Sequence, residues 1–307
     1  MTTIPAYLNP EKRHDFVLLF DVKDGNPNGD PDAGNLPRID PETMQGLVSD
    51  VCMKRKVRNW VDVVYGTDRS NMKIYVQNKE ALNSIHARAY EAINKKSTGS
   101  KQNAGDVEEA RKWICNNFYD VRTFGAVMTT GVNCGQVRGP VQLTFARSID
   151  RIIPQDVSIT RMAVTRPEDM VNFEVDDDDN DNNKKKTNEM GRKSFVPYGL
   201  YQGFGFFNPT LAEQTGFSQE DLRIFWEAMM NMWEIDRSAS RGMIACRGLY
   251  IFTHDKKFGC APAHQLFERI SVNLLDDVEA PRDFQQYEVT VNEDNLPEGI
   301  TLTRLVG

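Results

Sequence analysis

The sequence predicts an α+β fold, a single antiparallel sheet carrying helices, of the ferredoxin-like or RRM-like kind. Three observations lead there. The apolar run DFVLLFDVK (15–23) is rich in β-formers and precedes a long stretch of helical character. The same strand–helix–strand order returns later, in SFVPYGLYQGFGFF (194–207), an amphipathic stretch from Ser218, and MIACRGLYIFTH (243–254). Long excursions, 66–118 and 150–194, separate or flank these halves and have the composition of appendages. No internal repeat is visible.

Taken in order, the first strand is ended by Gly25 and Pro27. Asp40 is a good N-cap and Pro41 suits the first helical position, so a helix is expected from about residue 41 to 64, stopping near Gly66. KIYVQ (73–77) reads as a short strand. Residues 79–118 read as two helices split by KKSTGSKQNAGD (95–106), which has the composition of a flexible connection. YDVRTFGAVM (119–128) and GPVQLTFARSI (139–149) read as strands around a glycine-rich turn. Residues 150–194 read as a long protruding hairpin with an acidic, disordered tip, DDDDNDNN (176–183). Ser218 with Asp221 three residues on is a capping-box variant. Leu222, Phe225, Trp226, Met229 and Trp233 then mark an apolar stripe, expected to be core. MIACRGLYIFTH is the final expected strand.

The totals bound the function. A chain of 307 residues with 40% hydrophobic and 26% charged residues can bury a large core, as one large domain or two. The N-terminal residues lack a signal-peptide apolar region, and FVLLF (16–20) is far too short to span a bilayer. Five dispersed cysteines without a C-x-x-C pair signal neither a zinc ribbon nor a disulfide framework. A reduced, cytoplasmic setting away from membranes is expected. The net charge of −7 weighs against nucleic acid, but five aspartates of that balance sit in residues 176–183 alone. The placement of the basic residues therefore decides.

Three readings of DVKDGNPNGDPDAGNLPRIDP (21–41) stand side by side. From Asp24, oxygen side chains recur at Asn26, Asn28, Asp30 and Asp32, with Gly29 between, as in a calcium loop. Asn35 stands where a bidentate Glu belongs, and Pro27 and Pro31 oppose the continuous turn. The second reading is a rigid turn. The third is an anion cradle: a glycine-rich loop entering a helix N-terminus, with Arg38 suited to bidentate phosphate contact. KRKVRNW (54–60) then puts Lys54 and Arg58 on one helix face, a basic band that fits a nucleic-acid backbone or a solvated surface. RTFGAVMTTGVNCGQVRGPV (122–141) has no G-K-[ST] and is no nucleotide P-loop. Its glycines make a wide turn or admit a ligand backbone closely. DRSASRG (236–242) mixes arginines with hydroxyls. His254, Cys260 and His264 fit no zinc spacing, and no hydrolase or protease motif is present. No cofactor and no metal is expected.

GNPNGDP, PRIDPETMQGLVSDVCMKRKVRNWV, DVRTFGAVM, SITRMAVT, VPYGLYQGFGFF and DRSASRG occur in this order along nearly the whole chain. Together they resemble the guide-RNA-binding backbone subunit of the type I-C CRISPR surveillance complex, Cascade, within the repeat-associated (RAMP) superfamily. The resemblance implies a hand-like shape. An RRM-like palm would comprise 1–65, 119–149 and 195–307, with helical fingers at 66–118 and a thumb hairpin at 150–194. It implies a non-catalytic protein whose copies stack head-to-tail along one crRNA, beside other Cascade subunits, leaving target DNA to be read by base pairing. Arg38, Lys54 and Arg58 would hold phosphates, and Gly125, Gly131 and Gly135 would admit the RNA backbone. The segment 159–164 would press between bases, with Met162 as the wedge. Arg55, Arg122, Arg138, Arg161, Arg237 and Arg241 complete the implied RNA-binding set. The acidic tip would face solvent or a neighbouring subunit's basic patch. Two other readings compete: a metal-dependent ribonuclease using Asp30, as in related type III subunits, and a calcium-binding structural module.

Overall fold

The computed structural model describes residues 4–163, 165–166 and 189–307. The expected acidic tip lies outside the described residues. After a short 3-10 turn (Ala6–Leu8) come β1 (His14–Gly25), two short strands β2 (Gly29–Asp30) and β3 (Leu36–Pro37) that pair with each other, and β4 (Gln45–Val48). Helices α1 (Asp50–Tyr65), α2 (Leu82–Ala92), α3 (Ala104–Asn117) and α4 (Tyr119–Phe124) follow. Then come β5 (Gly125–Val127), β6 (Gln136–Arg138), β7 (Val141–Leu143), β8 (Ala146–Arg151), β9 (Gln155–Arg161) and β10 (Glu189–Phe207). The last part comprises α5 (Pro209–Thr215), α6 (Gln219–Ile235), β11 (Met243–His254), α7 (Ala263–Phe267), β12 (Ile270–Leu274), β13 (Tyr287–Val291) and β14 (Ile300–Val306).

The main sheet runs β14-β11-β1-β10-β8-β4, with β7 and β9 also paired to β10, and its ladders are antiparallel. β1, β8, β10 and β11 lie side by side as β11-β1-β10-β8, with α1 and α6 in the two halves of the chain. β1 is buried on both faces, which is why it reads as a continuous apolar run rather than an alternating one. Phe16, Leu18, Phe20 and Val22 join the core formed with α1 and α6, while Val17 and Leu19 join Tyr250, Phe252 and the β12–β13 side. The stripe of α6 is buried as expected, and Ser218 and Asp221 form a reciprocal capping box. Helices α2 and α3 build a separate core around Ile85, Tyr90, Ile114 and Phe118.

Several expectations give way to tertiary context. The first helix starts at Asp50, not near Pro41. Asp40 does accept from Glu42 N (3.1 Å) and Thr43 N (3.4 Å), but this makes one turn only. Met44 then takes φ 61°, and residues 45–48 join the sheet beside β8. Ser49 becomes the cap, accepting from Cys52 N. KIYVQ is not a strand: Tyr75 N and Val76 N donate to the Asp120 carboxylate, leaving only a Lys73–Phe118 bridge.

YDVRTF folds as α4 because Arg122 is drawn into a buried ion pair with Asp221 of α6, and strand begins only at Gly125. GPVQLTFARSI is two strands broken at Thr144 and Phe145. The connection 95–106 is tied rather than loose. Gln102 accepts from Thr98 N (2.7 Å) and donates to Lys96 O (2.9 Å). Three strands, β12 to β14, follow the one expected to be last. Among the described residues no helix is long and apolar enough to cross a membrane.

Candidate nucleic-acid interface

The opening loop is held by its own polar side chains. Asn28 Oδ1 accepts from Ser49 N (2.9 Å) and Ser49 Oγ (2.8 Å), so an amide of the loop occupies the start of α1. Asp30 caps the turn Pro31–Ala33 by accepting from Asp32 N (3.2 Å), and its carboxylate lies 3.5 Å from Arg38 Nη1. Asn26 is buried and donates to Asn35 O (2.8 Å). Two of the oxygens spaced as in a calcium loop, those of Asn28 and Asp30, are thus taken by separate donors within the chain. Among the described residues no three His, Cys, Asp or Glu side chains gather as a metal site.

The cations of α1 are largely committed within the chain. Lys54 and Arg58 share a face and both lie over the Phe124 ring, at 5.8 and 5.3 Å. Lys54 Nζ meets Asp50 Oδ2 (3.0 Å) and Gln142 Oε1 (3.4 Å). Arg58 Nε donates to Asp120 Oδ2 (2.8 Å), and its side chain is 11% exposed. Arg55 Nη1 donates to Val76 O (2.6 Å). Lys56 is buried against Trp233 and paired with Asp236. The open basic band expected here is thus a seam between the helical insertion and the sheet, where carbonyls and carboxylates take the charges. Arg122 is a second correction. It is 3% exposed and bonded to Asp221 Oδ1 (2.7 and 3.0 Å) and Asn71 O (2.7 Å), so it has no surface to offer a phosphate.

Gly125, Gly131 and Gly135 all take positive φ (84°, 71° and 79°), as turns of this kind need. A Cβ on Gly125 would stand 2.4 Å from Val137 O, and one on Gly131 2.6 Å from the Asn83 side chain. One on Gly135 would meet Val107 at 3.2 Å. The close approaches in the structure are therefore to the β6 strand and to α2 and α3. Arg138 pairs with Gly125 through its backbone on β6, and its exposed side chain has no partner among the described residues.

On the hairpin arm, β9 pairs with residues 189–195 of β10. Val157 and Ile159 lie opposite Lys193 and Gly191 and share a face with them, an exposed apolar strip. Arg161 Nη2 donates to Glu189 Oε2 (2.6 Å) and Thr165 Oγ1 (2.6 Å), and Met162 beside it is 83% exposed. Arg237 pairs with Glu234 (2.5 Å). Arg241 donates from Nη1 to Asn26 O and Pro27 O, both at 3.0 Å. His254 is a core residue: Nδ1 accepts from Cys260 N (2.9 Å), and Nε2 meets Asp15 Oδ2 (2.9 Å). It is fully buried with no ligand geometry.

Three stretches that are distant in sequence meet at one groove of about 330 Å³. The opening loop contributes Asn26, Gly34, Asn35 and Leu36; the base of the arm contributes Asp156, Arg192, Lys193 and Ser194; the loop after α6 contributes Ser240. The Arg192 side chain is 84% exposed and only loosely paired, 4.0 Å from Asp156. Arg192 and Lys193 were not singled out from the sequence. Their only signal was the basic pair following Gly191, which periodicity could not distinguish from an ordinary solvated strand face.

Fold and site together define a mixed α/β protein with one large antiparallel sheet, a helical insertion, a protruding two-stranded arm, and polar loops gathered at one groove. The chain belongs to the family described as CRISPR-associated protein Cas7, whose model matches residues 12–292. A CRISPR-associated protein Cas7 of Haloferax volcanii is 24% identical over 244 residues, covering 71% of this chain and 64% of that protein. The match thus spans less than two thirds of that relative's length. Among solved structures, a chain of a CRISPR RNA-guided surveillance complex in a pre-nicking state aligns with TM-score 0.49 and 15% identity, covering 78% of each chain. A chain of the type III-B Cmr-beta complex bound to cognate target RNA aligns with TM-score 0.40 and 9% identity, covering 78% of this chain and 61% of that one.

Proposed function

We propose that this chain is a non-catalytic backbone subunit of a CRISPR surveillance complex, of type I-C, that stacks head-to-tail along a crRNA in the cytoplasm. In this role it presents the guide for pairing with target DNA beside other subunits of the complex. The observation that carries the reading is membership of the Cas7 family across residues 12–292. The groove adds to it, because a strand lying there would meet Arg192 and Lys193 on one side and the main chain of the opening loop on the other. The order β11-β1-β10-β8, with α1 and α6 on one face, supports an RRM-like palm. The helices 82–117 then act as fingers and the β9–β10 arm as a thumb. The RNA contacts assigned are Arg38, Arg138, Arg161, Met162, Arg192 and Lys193. The engagement of Asp30 with Asp32 N and Arg38 favours a structural rather than a catalytic aspartate.

The test is to assemble the purified chain with guides of several lengths and image the products. Filaments whose length follows the guide are expected; single particles indifferent to guide would end the reading. Incubating the same assemblies with magnesium and complementary RNA should leave the RNA intact, whereas cleavage abolished by Asp30→Asn would replace the scaffold by a nuclease.

A further inference from the structure

Three charged residues, Lys56, Asp236 and Arg241, do not line the groove, and their geometry concerns the opening loop rather than a ligand. Arg241 reaches from the loop after α6 across to the end of β1. Its Nη1 donates to both Asn26 O and Pro27 O at 3.0 Å, and its Nε lies 3.6 Å from Asp236 Oδ2. The same Asp236 oxygen takes Lys56, whose side chain is 2% exposed and lies over the Trp233 ring. Asn26 N in turn donates to Ser240 O (2.7 Å). The approach is so close that a Cβ on Gly25 would stand 1.9 Å from Arg241 O. One carboxylate thus joins a cation fixed in α1 to a cation that clamps two consecutive carbonyls of the loop.

We infer that Lys56, Asp236 and Arg241 form a positioning lock that fixes the opening loop in its strand-binding shape, with Arg241 acting through residues 26–27 and not by touching phosphate. The inference rests on the RNA-binding reading of the groove, and its physical basis is preorganisation. A loop held in its bound shape loses little conformational freedom when a strand arrives, while a freed loop must be ordered at the expense of affinity. The fork geometry explains why an arginine stands here: two carbonyls and a carboxylate are reached at once by a planar guanidinium, which an ammonium cannot match.

The lock and a direct phosphate contact make opposite predictions. RNA binding by the full chain is measured across a salt series for the wild type, Arg241→Gln, Arg241→Lys and Asp236→Asn, with a generic single-stranded RNA as the probe. Amide hydrogen exchange of residues 26–36 is followed in the RNA-free proteins. The lock requires Arg241→Gln to bind roughly tenfold more weakly with an unchanged salt slope and faster exchange in the loop. Arg241→Lys should fail to restore either. Asp236→Asn, although it removes a negative charge near the RNA, should also weaken binding.

A slope shallower by about one unit with unchanged exchange would make Arg241 a phosphate ligand and overturn the inference. Tighter binding by Asp236→Asn would overturn it as well. Should Asp236→Asn not fold, the double variant Lys56→Met with Asp236→Asn removes both charges and is read in the same way. A wild type that binds no RNA at low salt refutes the functional reading, and the exchange data then decide the lock separately.

Discussion

At the residue scale, the arginines of this chain divide by what their neighbours demand. Arg122 and Asp221 have side chains 4% exposed each, and the Asp221 oxygen not bonded to Arg122 accepts from Ser218 N (2.8 Å) and Oγ (2.9 Å). Removing one partner of such a pair leaves a buried charge behind. Arg122→Met is expected to lose about 3–5 kcal/mol of stability in denaturant titrations. The folded fraction should keep its RNA affinity, and a normally stable variant that no longer binds RNA would return Arg122 to the interface.

His14 gives a pH dependence. Burial pushes its pKa down to about 4, and the neutral ring is matched by its bonds, Nε2 to Asn9 O (2.9 Å) and Nδ1 to Thr253 Oγ1 (3.0 Å). The folded pKa lies below the unfolded value near 6.5, so between these values the unfolded chain binds more protons. The contribution is complete above about pH 6.5 and falls away towards pH 4, by up to roughly 1.4 kcal/mol per pH unit. Melting temperatures at pH 7 and pH 5 should separate less in His14→Gln than in the wild type; equal separation would exclude this group. None of this was legible in the sequence, where Arg122 and Arg138 stand in one glycine-rich stretch. Only the fold makes one a buried strut and the other an exposed cation.

At the scale of elements, the structure follows local pattern where burial and propensity agree. β1, α2, α3 and α6 with its capping box fall where β-formers, helical spacing and the Ser218–Asp221 signal put them. The structure departs from local pattern where a distant residue decides. KIYVQ has strand composition, but the carboxylate of Asp120 takes its amide donors, and the cap at Asp40 is genuine for a turn that the sheet then interrupts. Asp120 also takes Arg58, so it ties α1 to the base of the helical insertion. Arg58→Met is therefore expected to destabilise by about 1.5–3 kcal/mol and to raise protease sensitivity around residues 73–80. A loss of RNA binding without a loss of stability would show that Arg58 serves the strand and not the seam. The arm differs. Met162→Ala changes a side chain in solvent, and unfolding should shift by less than about 0.5 kcal/mol, while base unstacking in the bound guide, followed by chemical probing, should diminish. Unaltered probing would remove Met162 as the wedge.

For the molecule as a whole, one large antiparallel sheet carrying helices was visible in composition and periodicity, but its make-up differs from the expected two halves: KIYVQ is not in it, β8 lies beside β10, and β4 and β14 are added. The meeting of loop, arm base and post-α6 loop in one groove was not visible, because residues 26–36, 192–194 and 240 become neighbours only through the pairing of β1 with both β10 and β11. Charge bears on affinity at this scale too. With a net charge of −7 and many cations of the described residues paired internally, the cations open to a strand are a minority of those described. If Arg38, Arg138, Arg161, Arg192 and Lys193 each neutralise one phosphate, the slope of log affinity against log salt should be about −3.5 per protomer. A slope several times steeper would mean that the internal pairs open to meet RNA.

β10 passes from the tip-side ladder with β9 into the middle of the main sheet without a break, over 19 residues or roughly 60 Å of extended chain. A pull on the outer end of the arm therefore runs along the backbone into the ladder with β1 and loads its hydrogen bonds in shear, where many must rupture together. Under mechanical stress this protein would resist as a clamp and then give way in one step, instead of peeling open from its most exposed part.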